Sequence, residues 1–438
     1  MPALIVRPVT ESARVTDTAT TTLPGPDEAE PIPVRHLETT AEALQRAGLR
    51  RSSGRVRVAA GVTLALAVVA LAGVAVSSLL PSELVATTLN RRLGVEQPAP
   101  FARTPAGAQP VDDRIVFGDL GDVAQQFPPA GDIYFVTVTE PEQSVLSWLL
   151  GRNDPAITFL TQEEKFGVQT PQQRRVFSLE SMRTSEQVAQ FVALQRVGFD
   201  VTLVPGDVLI QDIVCLEADA EGTECLTWSP SDGVLDPGDR ILSVEGEELT
   251  GVEDLTRILA DRKSGDLVAM QIERPEVGQL DVEVELTSSP EEPDRTIVGF
   301  YPFDTRRVEL PFELNINTGS IGGPSAGLAF TLTLIDELTE GELTGGESVA
   351  VTGTMELSGE VGAIGGLRQK ASAVAQSGVT LFLVPAAQGE EDIAAARRAG
   401  GPNLQIVPVA NLEEAIAALV KHGGDPIPPA PTAPPSDP

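Results

Sequence analysis

The sequence predicts an α/β body that carries a mainly β module and is preceded by one transmembrane helix. Three observations predict it. Residues 58–82, VAAGVTLALAVVALAGVAVSSLLPS, contain no charge. Residues 266–287 hold two strand-like runs, DLVAMQIER and LDVEVELT, the second alternating apolar and polar. Residues 348–387 read as buried strand, helix, buried strand, in the strings VAVTGTMEL, GLRQKASAVAQSG and VTLFLVPA.

Composition narrows the chemistry first. The 438 residues are 42% hydrophobic and 21% charged, with a mean hydropathy of +0.03, which excludes a wholly disordered chain. The net charge of -32 argues against a nucleic-acid partner, which needs a basic face. His36 and His422 are the only histidines and Cys215 and Cys225 the only cysteines, so a His/Cys metal site is not expected. No P-loop string occurs, and no cofactor is expected. Lysine occurs only at 165, 263, 370 and 421.

Taken in order, residues 1–57 are rich in Thr, Pro, Ala and Arg and are expected to be a disordered cytoplasmic segment, with a short helix near 41–47. A transmembrane helix follows at 58–81. The uncharged run is about 37 Å long as a helix, against a hydrocarbon core of about 30 Å. A secretory signal is the rival reading, but the run is long for one and its leader exceeds fifty residues. Arg46, Arg50, Arg51, Arg55 and Arg57 precede the span, whereas Arg91 and Arg92 follow at a distance. The positive-inside rule then places the N-terminus in the cytoplasm and the body outside the cell membrane. Cys215 and Cys225, with nine residues between them, would face an oxidising compartment and could pair; two free thiols are the alternative.

Residues 82–112 contain Pro and Ala and read as a linker. Residues 113–199 read as an α/β region, with strands at 114–117 and 133–139 and a helix at 178–198. A module follows at 200–289, then the C-terminal domain at 290–424. The Pro-rich segment 425–438 reads as an unpacked tail.

Within the module, SPSDGVLDPGDRILSVEGEEL gives a turn, a Pro-Gly-Asp corner and a strand, and Leu255, Ile258 and Leu259 mark one face of a helix over 252–262. Leu235–Gly246 resembles the L-x-P-G-D-x-I-L-x-V-x-G signature of PDZ domains. The resemblance implies capture of an extended or C-terminal peptide segment on a sheet edge. The groove is then expected between the 252–262 helix and a strand at Val208–Val214, with VTLVPGD at 201–207 as the candidate carboxylate loop.

In the C-terminal domain, IGGPSAGLAFTLTLIDEL at 321–338 places Ser325 at the opening of an apolar helix, near unpaired N–H groups and the positive dipole end. A helix-capping serine is the plain alternative. Lys370 lies three residues after Leu367 and four before Val374, on the apolar face of its helix. A buried amine there has its pKa lowered and can act as a base; a snorkelling lysine is the alternative.

The strings GGPSAGL, VTGTMELSGEVGAIGGLRQK and VTLFLVP, in this order, resemble the Lon-type serine peptidase domain over about residues 300–422. The resemblance implies Ser325 as nucleophile, Lys370 as its base and Thr352 as a residue orienting the lysine. Gly322 departs from the family, where an acidic residue is common. The order of span, PDZ and Lon-type domain resembles the YlbL-like membrane-anchored peptidases. It implies an ATP-independent serine endopeptidase acting on unfolded or flexible extracytoplasmic polypeptides, and leaves a homo-oligomer open. The alternative is a non-catalytic PDZ scaffold or chaperone. The helix-like 180–195 resembles the one preceding the serine motif in Lon-type domains, so the PDZ segment is expected to be inserted within the peptidase fold.

Overall fold

The computed structural model describes residues 54–89, 96–167, 169–218 and 225–428. The helix expected at 41–47, Arg91 and Arg92, and residues 429–438 lie outside the described residues. Helix α1 runs Gly54–Leu79. Its stretch Val58–Leu79 has a mean hydropathy of 2.4 and is long and apolar enough to cross a membrane. Val62, Leu66, Val69 and Val76 are all more than half exposed. Such a helix, apolar around its circumference, is a candidate span.

The chain then enters a sheet. Strand β1 (Phe101–Pro110) pairs with β2 (Ile133–Thr139) and, at its first residues, with β3 (Thr158–Leu160), all antiparallel. Between β2 and β3 lies the short helix α2 (Val145–Gly151), capped by Ser144. This corrects the linker expected at 82–112. Four prolines at 98, 100, 105 and 110 give that segment a linker's composition. Pro105 sits where the β1–β2 register shifts, and the 104–110 half of β1 pairs on one side only. Bulges and open edges are where strands tolerate proline.

Helix α3 runs Pro171–Arg196, seven residues earlier than expected, because Thr170 caps it, Gln173 closes a capping box and Pro171 suits the first turn. The next elements form the inserted module: β4 (Thr202–Ile213), β5 (Arg240–Val244), α4 (Val252–Leu259), β6 (Leu267–Arg274), β7 (Gly278–Glu285) and β8 (Phe300–Glu309). The sheet order is β7–β6–β5–β4–β8, every neighbour antiparallel. Helix α4 stops three residues short of the expected 262. The Pro-Gly-Asp corner has a physical role. Asp239 is fully buried and takes both Arg274 Nε (2.9 Å) and Nη2 (2.7 Å), while one of its oxygens accepts the Asp236 amide. A buried carboxylate held by such a fork fixes the turn into β5. The module is a PDZ-like fold with its own core of Ile210, Ile241, Val244, Leu255, Val268 and Ile272. Cys215 and Cys225 are joined by a disulfide across the hairpin 215–218/225–228.

The chain returns through α5 (Gly327–Leu338), β9 (Val349–Val351), the small hairpin β10 (Thr354–Met355) and β11 (Val361–Gly362), α6 (Leu367–Ser377), β12 (Leu381–Pro385), α7 (Glu390–Gly400), β13 (Gln405–Val409) and α8 (Leu412–Lys421). Strands β9, β12 and β13 run parallel, and β9 pairs in parallel with β2. The large sheet is therefore β13–β12–β9–β2–β1–β3. Strands from before and after the PDZ-like module share it.

Alternation decides the layers. Val349, Val351, Leu381 and Leu383 face a core shared with α3, α5 and α8. Ala350, Phe382 and Val384 face the opposite core, shared with α6 and α7. Helix α5 is buried along its whole length. The hydroxyls of Thr331 and Thr333 inside it donate to the carbonyls of Gly327 and Ala329. The C-terminal segment is packed as far as residue 428, correcting part of the unpacked tail. Asp425 bonds Glu342 through both backbone and carboxylate, and Arg196 Nη1 donates to the Pro428 carbonyl.

Candidate active site

Helices α5 and α6 lie on opposite faces of the large sheet, and their N-terminal ends meet beyond the C-terminal end of β9. Ser325 precedes α5 and Lys370 lies in the first turn of α6. The left-handed Gly366 (φ 73°) starts α6, a conformation glycine adopts without strain. Thr352 follows β9 directly.

The structure brings all three together. Lys370 Nζ is 2.6 Å from Ser325 Oγ and 2.9 Å from Thr352 Oγ1. The Thr352 hydroxyl donates to the Ser325 carbonyl at 3.0 Å, and the Gly353 amide donates to the same carbonyl at 3.0 Å. Ser325 is not a helix cap: Ala326 holds that position, no side chain caps α5, and the Ser325 hydroxyl meets the amine instead. Nor does Lys370 snorkel, since it is 2% exposed. Ser325 is partly exposed and its hydroxyl rests against a buried amine.

Burial of Lys370 pushes its pKa down from 10.5 to about 7, and the positive charge of Arg103 adds to the effect. As an ammonium the group donates to Ser325 Oγ. As a neutral amine it accepts the hydroxyl proton, which a general base must do.

Helix α3 braces the serine loop. The Gly323 amide donates to the Ser178 carbonyl (2.7 Å), the Ser185 hydroxyl to the Pro324 carbonyl (3.0 Å), and Thr318 Oγ1 to the buried Glu186 carboxylate (2.6 Å). This packing accounts for Gly322. A Cβ there would lie 2.2 Å from Ser178 Oγ and 3.1 Å from its carbonyl carbon. A side chain at 322 would crowd Ser178 on α3.

Sequence reasoning missed Arg103. It lies on β1, pairs with Glu140 (Nη2–Oε1 2.7 Å), and packs its Cδ against Gly366 at the start of α6. The strand was hidden by its prolines, and no local motif marks a residue more than two hundred positions from the lysine. Arg103→Gln is expected to move the acidic limb of the kcat/KM pH profile to higher pH. It removes a cation that disfavours the Lys370 ammonium and leaves the Glu140 anion that favours it. Arg103→Lys keeps the charge and is expected to keep the profile, as a pH series on both variants checks.

The PDZ-like groove also corrects the sequence reading. Strand β4, which includes Val208–Ile213, is flanked by β5 and β8, so neither of its edges is open to a peptide. The loop at 201–207 pairs with β8 as well. The cleft beside α4 instead lies against residues 294–302, with Val252, Leu255 and Leu259 facing Ile297, Val298 and Phe300 across about 380 Å³. A second cleft of about 750 Å³ runs from Val252 and Pro302 to Met355 and Ser358 on the hairpin beside the serine loop.

Residues 313–422 match the Lon protease (S16) C-terminal proteolytic domain. Similar curated proteins are the Lon proteases of Xanthomonas oryzae (39% identical over 72 residues; 16% of this chain, 8% of that one) and Clostridioides difficile (33% over 94 residues; 21% and 12%). Ureaplasma parvum Lon protease is 32% identical over 90 residues, 19% of this chain and 11% of that one. The chain thus spans about a tenth of the length of these relatives. Among solved structures, the PDZ domain of an SdrC-like protein from Listeria monocytogenes is 17% identical, with a TM-score of 0.17, covering 22% of this chain and 85% of that one. Its counterpart from Listeria innocua is 16% identical, with a TM-score of 0.15, covering 21% and 92%. The chain carries a Lon-type (S16) proteolytic domain over residues 313–422, with a PDZ-like module set ahead of it.

Proposed function

We propose that this protein is a membrane-anchored, ATP-independent serine endopeptidase with a Ser325–Lys370 dyad, acting on unfolded or flexible extracytoplasmic polypeptides. The observation that carries the reading is the contact of Lys370 Nζ with Ser325 Oγ at 2.6 Å, made by a buried amine with a pKa near 7. Ser325 Oγ attacks the scissile carbonyl while Lys370 takes its proton, then returns it to the leaving amine. N–H groups at the start of α5 face the charge that develops on the carbonyl oxygen. Thr352 holds the amine in line. Water then cleaves the acyl-enzyme, with Lys370 again as base.

The PDZ-like cleft beside α4 holds an extended segment of the polypeptide. The second cleft leads from it toward the hairpin next to Ser325. The apolar α1 supports a single anchor, and the disulfide fits a body on the oxidising side of the membrane.

The test uses the full chain in detergent with casein, with and without ATP. The wild type is expected to produce fragments in both conditions, and Ser325→Ala none, with unchanged circular dichroism. Cleavage by Ser325→Ala would overturn the dyad. A requirement for ATP would overturn independence from an unfoldase. An inert wild type would put the binding scaffold in place of the enzyme.

A further inference from the structure

The end of α1 is tied to α2 rather than left as a free tether. The Val145 amide donates to the Leu80 carbonyl (2.9 Å), the Ser82 amide donates to the Gln143 carbonyl (2.8 Å), and Pro81 bridges Ser144. These bonds join the residue that follows α1 to the first residue of α2.

The surface around this junction is apolar. Leu79 is 84% exposed, Leu84 63%, Leu150 77% and Leu149 45%. Val85 and Leu80 are exposed beside them. Trp148 is half-buried on α2, with the Arg152 guanidinium 5.2 Å above its ring. Isolated exposed leucines need no explanation, but a group of them continuous with an apolar helix does. A Trp with an Arg over it is suited to the headgroup boundary, where the ring is half apolar and the cation reaches phosphate. Glu83, Glu142 and Asp154 are also exposed here, so attraction to anionic lipid cannot hold the surface down. Contact must come from the apolar side chains.

We propose that α2 and the turn at 80–85 form a second membrane contact, seated in the lipid interface beside the end of α1. It rests on the reading of α1 as a membrane anchor. Two contacts hold the body in a fixed orientation, whereas a span followed by a free linker lets it tumble.

Trp148 and Trp228 are the two tryptophans of the chain, which supplies the probe. The full chain carrying Trp228→Phe is reconstituted into phosphatidylcholine vesicles, part of the lipid brominated along its acyl chains. The Trp148 emission is expected to lose most of its intensity to the brominated lipid. Leu149→Asn with Leu150→Asn is expected to restore it while the chain still floats with the vesicles. Should Trp228→Phe fail to fold, the wild type is expected to lose only the Trp148 share of its emission. Full Trp148 emission from a chain that floats with the vesicles overturns the second contact and leaves the anchor standing. A chain that does not float overturns the anchor, and the second contact with it.

Discussion

Lys370→Met is expected to lower kcat by roughly 10⁴-fold, the scale of a lost general base in a group that acts as a unit. Methionine is similar in length and apolar, so it suits a site that is 2% exposed. Lys370→Arg is expected to be as inactive, although it keeps the positive charge. A guanidinium stays protonated at any working pH and cannot take the serine proton. The wild-type kcat/KM should rise with pH through about 7, as the amine becomes neutral. Stability is linked to the same proton. The pKa is lower in the folded chain than in the unfolded one, so between about 7 and 10.5 the unfolded state holds more proton. The burial cost of the ammonium is therefore full below about pH 7 and fades as pH rises toward 10.5. Lys370→Met should lack this slope, and a pH series of urea melts on both proteins checks it.

The second large effect is expected from Gly327→Ala, which changes no reacting group. Gly327 is the first residue of α5, two after Ser325. A Cβ there would lie 2.9 Å from the Met355 backbone nitrogen, 3.1 Å from Met355 Cβ and 2.8 Å from Ser185 Oγ. The serine hydroxyl can rotate away, but the backbone nitrogen cannot. The start of α5 must move off the β10 hairpin, and Ser325 moves with it. A displacement of about 1 Å costs on the order of 10²-fold in an aligned reaction. The labelling rate of Ser325 by a fluorophosphonate should fall by that factor, with the protein still folded. An unchanged rate would mean that α5 and the hairpin yield without disturbing the serine.

These residues differ in how far local sequence exposes them. Ser325 and Lys370 were legible because each sits in a string whose glycines, apolar period and neighbours have meaning over a dozen residues. The strand IYFVTVT was legible for the same reason and is found at Ile133–Thr139 as read. The start of α3 was missed although Thr170, Pro171 and Gln173 spell a capping box, because the apolar period begins later. The groove expected beside Val208–Val214 is displaced because a strand that follows the helix in sequence covers that edge. Strand β8 takes the outer edge of β4 instead. Arg103, Glu186 and Ser178 carry no local signal. Their relation to the site exists only once the large sheet and α3 have assembled.

The shared sheet has a consequence for the protein's birth. Ile133 pairs with Val349, so the catalytic layers cannot close until the intervening chain has emerged. The PDZ-like module is different: its first and last strands, β4 and β8, are neighbours, so it can condense alone as soon as residue 309 is available. Until residues 349–370 follow, β2 waits without its parallel partner β9, and Arg103 waits without Lys370. The peptidase is the last part of the molecule to form. A chain that ends short of residue 349 carries a condensed PDZ-like module and an open large sheet, so Ser325 and Lys370 come together only once both flanks of the module are in place.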